Sequence, residues 1–197
     1  MFSAFLDTNV LWPSLQRDYL LSLAADGLYR PLWSEAVLDE LLEHEALKRV
    51  SRGRAVEDAV AEAEHLVDRM RRSFGDAIVT GWESMLGTFR LPDPDDEHVA
   101  AAATVGGAGV IVTDNLKHFP PERLTQHIEV QSATEFITST VSVDPGGAAA
   151  SLVVMTARYR KPSHTPVEVL AQLAERYDLT EVAEMIGPFL IPSDARE

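Results

Sequence analysis

The chain has 197 residues, enough for one full hydrophobic core and a small appended unit, and its 46% hydrophobic and 24% charged residues are ordinary for a soluble globular protein. It has no cysteine, which excludes disulfides, thiolate zinc sites and thiol nucleophiles. No apolar run reaches the ~18 residues of a membrane span, and the opening Met1-Phe2-Ser3-Ala4-Phe5-Leu6 lacks the basic start of a signal peptide, so a cytoplasmic protein without membrane contact is expected.

Along the chain, Phe2 to Leu6 is short, apolar and aromatic and reads as a buried strand that stops at Asp7-Thr8-Asn9. A helical pattern follows Pro13, running through Asp18 to Ala25 with Gly27 as its C-cap. Ser34 is an N-cap for a helix to about Arg49, with Val37, Leu38, Leu41 and Leu42 as its apolar stripe. A further helix spans about Val56 to Arg72, and the stretch from Phe74 to Arg90 has no clear pattern. Leu91-Pro92-Asp93-Pro94-Asp95-Asp96 is a turn that leads into a helix from Glu97 to Val105, ended by Gly106 and Gly107. Gly109 to Thr113 is a second strand stopping at Asp114; Ile128 to Gln131 is a third candidate, with a helix near Thr134 to Ser139. Buried strands alternating with helices predict an α/β fold with a central, mostly parallel sheet covered on both faces, a three-layer α/β/α arrangement. Val143-Asp144-Pro145-Gly146-Gly147 is the best linker candidate, which divides the chain into residues 1–141 and a helical extension, residues 142–197. In that extension an alanine-rich helix comes first. Thr165-Pro166-Val167-Glu168 then opens a helix with Leu170, Leu173 and Tyr177 on one face, and a final helical piece surrounds Val182 to Phe189.

The net charge of −14 argues against tight binding of nucleic acid, whose phosphates favour a basic face. Local basic groups exist, Lys48, Arg49, Arg52 and Arg54 in one and Arg69, Arg71 and Arg72 in another, and are read equally well as solvated helix ends. Acidic residues gathered at a metal site attract phosphate once cations occupy it, so charge leaves the question open.

Open parallel sheets place ligands beyond the carboxyl ends of their strands. Asp7 and Asp114 stand at two such ends. Asp96 shares a helix face with Val99, Ala100 and Ala103, the apolar face, which aims it inward at the sheet edge. Each acid alone also fits a turn or helix cap; their joint placement brings three carboxylates toward one point. Converging carboxylates are unstable together unless protonated or bound to a cation, and oxygen donors suit magnesium or manganese rather than zinc. Such an ion lowers the pKa of an attacking water and neutralises the leaving oxygen of a phosphate ester. The six histidines show no His-His metal spacing, no G-x-S-x-G elbow is present, and Asn9 stands where a haloacid-dehalogenase phosphatase needs its second aspartate.

Phe5-Leu6-Asp7-Thr8-Asn9-Val10-Leu11 closely resembles the opening of PIN domains, and three further blocks follow in that family's order. These are Trp33-Ser34-Glu35-Ala36-Val37-Leu38-Asp39-Glu40-Leu41, Leu91 to Ala102, and Ile111-Val112-Thr113-Asp114-Asn115-Leu116-Lys117-His118-Phe119. The resemblance, over about residues 1–140, implies a PIN-like fold and a magnesium- or manganese-dependent endoribonuclease. It also implies homodimerisation and, for VapC-type toxins, a cognate antitoxin protein; tRNA or rRNA is the implied substrate. It assigns Asp7 and Asp96 as metal ligands and Glu40 as the second acid, an assignment that rests on the resemblance alone because Glu45 lies nearer the centre of the apolar stripe. The fourth block departs from the pattern, with Asn115 and His118 where the family has Thr-x-Asp or Thr-x-Asn and then an acid before Phe. Either Asp114 or Asn115 completes the set, and Asp114 is favoured. The expected catalytic set is therefore Asp7, Glu40, Asp96 and Asp114, with metal on Asp7, Asp96 and Asp114, supported by Thr8, Asn9, Thr113, Asn115 and His118. The rival expectations are a PIN-fold module that binds RNA or protein without cutting, and a housekeeping nuclease without an antitoxin.

Overall fold

A computed structural model describes residues 2–159 and 164–190. Its contacts group into two units. One comprises Phe2–Pro13 and Arg30–Ser132; the other comprises Ser14–Tyr29 and the chain from Ala133 onward.

The first unit is built on a five-stranded sheet. In chain order its strands are β1 (Ser3–Leu6), β2 (Arg30–Ser34), β3 (Ile78–Val79), β4 (Val110–Val112) and β5 (Glu129–Gln131). They lie in the order β3-β2-β1-β4-β5, and every pairing is parallel. Strand β1 is central: Ala4, Phe5 and Leu6 are fully buried, and Phe5 is in register with Leu32 on one side and Ile111 on the other. A strand buried on both faces is apolar, which is why Ala-Phe-Leu fills the centre of the sheet and Val-Ile-Val its neighbour β4. The chain steps from β1 outward to β2 and β3, and then returns to the other side of β1 for β4 and β5. The β1–β4 junction is therefore the topological switch point, where parallel sheets leave a crevice at their carboxyl edge.

The helices of this unit are α1 (Thr8–Leu11), one turn long, α3 (Glu35–Ser51), α4 (Val56–Ser73) and α5 (Glu97–Val105). Ser34 caps α3 by accepting the Val37 N–H at 3.3 Å, and Val37, Leu38 and Leu41 bury its stripe. Leu42, expected on that stripe, is half-buried. Helix α5 runs close to the sheet: a Cβ on Gly106 would lie 2.7 Å from Val79 Cγ2 and 3.2 Å from Leu32 Cδ1, so only glycine fits at its end. Strands β2 and β3 were not anticipated. Pro31 interrupts the donor pattern of β2 and hides it, and β3 is only two residues long.

The second unit is helical, with α2 (Ser14–Ala25), α6 (Ala133–Val143), α7 (Pro145–Thr156), α8 (Pro166–Tyr177) and α9 (Thr180–Leu190). Tyr29 meets Phe136 edge to face at 4.8 Å, and the Tyr159 hydroxyl donates to Asp18 at 3.1 Å. Thr165 and Glu168 form the capping box expected from sequence. The expected linker at 143–147 is corrected: α6 runs to Val143, and Asp144 caps α7 through the Gly147 N–H at 2.8 Å. Pro145 is helical residue N1, where its missing N–H costs nothing, so Gly146 and Gly147 lie inside the first turn. Among the described residues no helix is long and apolar enough to cross a membrane.

Candidate metal centre

The ladder between β1 and β4 extends one residue past β1, the Asp7 N–H donating to Val112 O at 3.1 Å. This fixes Asp7 at the carboxyl edge of the sheet, where it caps α1 and is 5% exposed. Its Oδ1 accepts the Thr8 N–H at 2.6 Å, and its Oδ2 accepts from Asn9 Nδ2 at 2.6 Å and from Thr113 Oγ1 at 2.7 Å. Asn9 also donates to Thr113 Oγ1 at 2.9 Å and takes the Asp114 N–H on its Oδ1 at 3.0 Å. The Asn115 N–H donates to Thr113 Oγ1 at 3.1 Å. Thr8, Asn9, Thr113 and Asn115 thus form one network that stitches the end of β1 to the end of β4.

Burial raises the pKa of Asp7 and outweighs the bonds from Thr113 and Thr8, while the charges of Asp96 and Glu40 raise it further, up to about 6. Glu40 lies one residue off the buried stripe of α3. It accepts from Thr8 Oγ1 at 2.5 Å and pairs with His98 Nε2 at 3.1 Å. Burial works against its charge, but the bonds from His98 and Thr8 win and hold its pKa below the ordinary value. Burial likewise opposes the charge on His98, yet Glu40, aided by Asp7 and Asp96, keeps that imidazole above its ordinary pKa.

Asp96 sits at the entry to α5 after the 3-10 turn Pro94–Asp96. His118, at the end of the 3-10 turn Leu116–His118 beyond β4, brings Nδ1 to 2.7 Å from Asp96 Oδ2 and 3.8 Å from Asp93 Oδ2. Asp93, Asp96 and His118 each offer one ligand atom, all within 4.8 Å of one another. Burial, with Asp93 adding to it, raises the pKa of Asp96 despite His118.

Asp7, Thr8, Asn9, Glu40, Asp96, Thr113 and His118 therefore come together. Asp114 and Asn115 join through their backbone N–H groups, and both side chains are exposed. Glu45, the competitor for Glu40, is buried on ion pairs with Lys48 and Arg49. Two participants escaped the sequence reading, Asp93 and His98. A search for paired histidines does not find His98, because its partner is a carboxylate on another helix. The neighbouring Glu97 serves the loop before it instead, since its buried carboxylate accepts the N–H groups of Gly87, Phe89 and Leu91 at 3.1, 3.3 and 2.8 Å.

The donor set fits a hard or borderline divalent cation. It consists of carboxylate oxygens and one imidazole, and it includes a buried carboxylate destabilised by two neighbouring acids, a situation that a cation relieves. Three of the basic residues in the two local groups are engaged elsewhere: Arg49 and Arg54 pair with Glu62 at 3.0 and 2.6 Å, and Arg71 with Glu35 at 2.7 Å and Asp68 at 3.2 Å.

Comparison with known proteins identifies the family of the chain. Residues 3–117 match the family model described as PIN domain, and residues 134–188 match that described as VapC50 C-terminal domain. A protein of Mycobacterium tuberculosis (strain ATCC 25618 / H37Rv) named "Putative ribonuclease VapC50" is 35% identical over 82 residues, 41% of this chain and 48% of that protein. The alignment thus spans about half of the relative's length. No solved structure matches the chain.

Proposed function

The chain belongs to the PIN-domain family, and from that premise we propose that it is a magnesium- or manganese-dependent endoribonuclease, the toxin of a type II toxin–antitoxin pair. The observation that supports this most directly is the convergence of Asp7, Glu40 and Asp96, from three separate segments, at the switch point of a parallel sheet. The nuclease module is taken as residues 1–141 and the helical extension as residues 142–197. The name of the relative gives the nuclease reading its support, and the match of residues 134–188 extends the likeness beyond the PIN domain.

In this reading Asp7, Asp96 and Asp114 hold the ion, and Glu40 completes the acidic set. When bound, the ion supplies a more acidic attacking water and neutralises charge at the leaving oxygen of the RNA phosphodiester. Thr8, Asn9 and Thr113 fix both oxygens of Asp7, so its lone pairs face one direction before substrate arrives. His98 and Thr8 do the same for Glu40, keeping it a carboxylate. His118 orients Asp96, and Asn115 braces Thr113. With so acidic a chain, phosphate is drawn to the ion rather than to a basic face. A cytoplasmic homodimer and a cognate antitoxin that covers the site belong to the same proposal.

The test is cleavage of total cellular RNA by the purified chain with magnesium or manganese, with mapping of the cut ends. Cuts confined to one tRNA or rRNA loop, abolished by EDTA and by Asp7→Asn, support the toxin reading. Indiscriminate cutting indicates a housekeeping nuclease, and retention of RNA without cutting indicates a binding module.

A further inference from the structure

His98 is paired with Glu40, whereas His118 is the imidazole in direct contact with Asp96. Its place is set by a tight turn: the His118 N–H donates to Asn115 O at 2.9 Å, the Phe119 N–H donates to Leu116 O at 3.1 Å, and the Phe119 ring is 1% exposed. A buried aromatic on one side and a closed 3-10 turn on the other leave the imidazole little freedom. They hold Nδ1 at 2.7 Å from Asp96 Oδ2 and 3.8 Å from Asp93 Oδ2. Adjacent ligands of an octahedral ion, at about 2.1 Å from it, stand about 3 Å apart. Both separations bracket that value. The shorter one is a hydrogen bond, and a cation that displaces its hydrogen to solvent would find a lone pair on each of the two atoms.

Resting on the metal-dependent reading above, we propose that His118 is a ligand of the bound ion, and that this imidazole makes the site selective for manganese-class transition ions over magnesium. Magnesium keeps oxygen ligands and water and gains little from nitrogen. Manganese, at the weak end of the first transition row, still gains more from a nitrogen donor than magnesium does, and the later divalent ions gain more again. An all-carboxylate set discriminates weakly between the two, so one nitrogen donor at this position decides the preference. Asp93 gains a role in the same step, because it faces the same nitrogen from the turn that precedes α5.

The experiment is a manganese titration of the full chain, first stripped with EDTA and dialysed, following the loss of the free-ion EPR signal and repeating it in competition with magnesium. Wild type is expected to prefer manganese and to show imidazole ¹⁴N coupling to the bound ion. His118→Ala is expected to lose that coupling and about tenfold or more of the manganese-over-magnesium preference, the scale on which single groups around a metal act. His118→Asp, checked alongside it for folding by circular dichroism, is expected to bind magnesium and to lose the preference. Equal weakening for both ions in His118→Ala, or ¹⁴N coupling that persists in it, overturns His118 as a ligand and leaves the metal site standing. If wild type binds neither ion, the metal-dependent reading falls and takes this inference with it.

Discussion

Asp7 and Thr113, 106 residues apart in sequence, share a hydrogen bond of 2.7 Å across the adjacent ends of β1 and β4. Thr113 is fully buried, and its one hydroxyl also meets Asn9 and the Asn115 N–H. This side chain is the hub on which the carboxylate is aimed.

Thr113→Val keeps the shape and removes the hub. Its cost in stability is expected at about 1–3 kcal/mol, the penalty for leaving buried polar partners unpaired. Metal affinity should fall about 10- to 100-fold, as when a group that orients a ligand is removed. Chemical denaturation and calorimetric metal titration measure the two effects. An unchanged metal affinity would show that Asp7 needs no orientation.

Stability without metal should depend on pH in an unusual direction. Asp7 has an ordinary value of 3.8 and is raised to about 6, so between those values the folded protein holds a proton that the unfolded chain has lost. Raising the pH through that window therefore costs stability, up to about 3 kcal/mol from this group. Asp96, also raised, acts in the same sense, while Glu40, lowered, opposes it. His98, whose pKa is raised, adds stability at low pH that is lost as pH rises past its folded value. Urea unfolding in EDTA between about pH 4 and 7, for wild type and Asp7→Asn, isolates the Asp7 contribution. Identical slopes in the two proteins would count against it.

Glu97→Ala is expected to destabilise the fold by about 3 kcal/mol, since three backbone N–H groups lose a charged acceptor. Hydrogen exchange should accelerate at Gly87, Phe89 and Leu91, whose amides it holds. Protection at those amides that survives the substitution would assign the ordering of the loop to other contacts.

RNA affinity should depend on divalent ions more than on ionic strength. The net charge is −14, and Arg49, Arg54 and Arg71 are already paired with carboxylates, so fewer counterions are released on binding than at a basic face. Filter binding with and without manganese, across a salt series, distinguishes this from a conventional basic interface. A steep salt slope in EDTA would refute it.

The strands that build the switch point were legible because burial on both faces leaves only apolar residues at Ala4, Phe5 and Leu6 of β1 and throughout β4. Asp7 and Asp96 followed from position alone, at a strand end and on a helix face. Glu40 did not, because it stands off the apolar stripe of α3 and is selected by Thr8 and His98, distant in sequence. The same holds for Asp93, which enters only because the turn after β4 delivers His118 to it. Periodicity reports which face is buried; it does not report which side chains meet across elements. Strand β2 escaped for a local reason, a proline inside it, and the linker expected at 143–147 proved to be a helix start because Asp-Pro-Gly-Gly suits a capped first turn as well as a break.

Asp96 and Glu97 are consecutive acids with opposite duties, one turned toward His118 and the other clamping the preceding loop. Phase, not the number of acids, is what this segment encodes. With α5 anchored by its buried Val99, Ala100 and Ala103, losing or gaining one residue between Leu91 and Asp96 would displace the Gly87–Leu91 amides from the Glu97 carboxylate that gathers them. Point changes that preserve spacing should be survivable here in a way that no insertion is, so length variation among natural relatives ought to stop at this stretch.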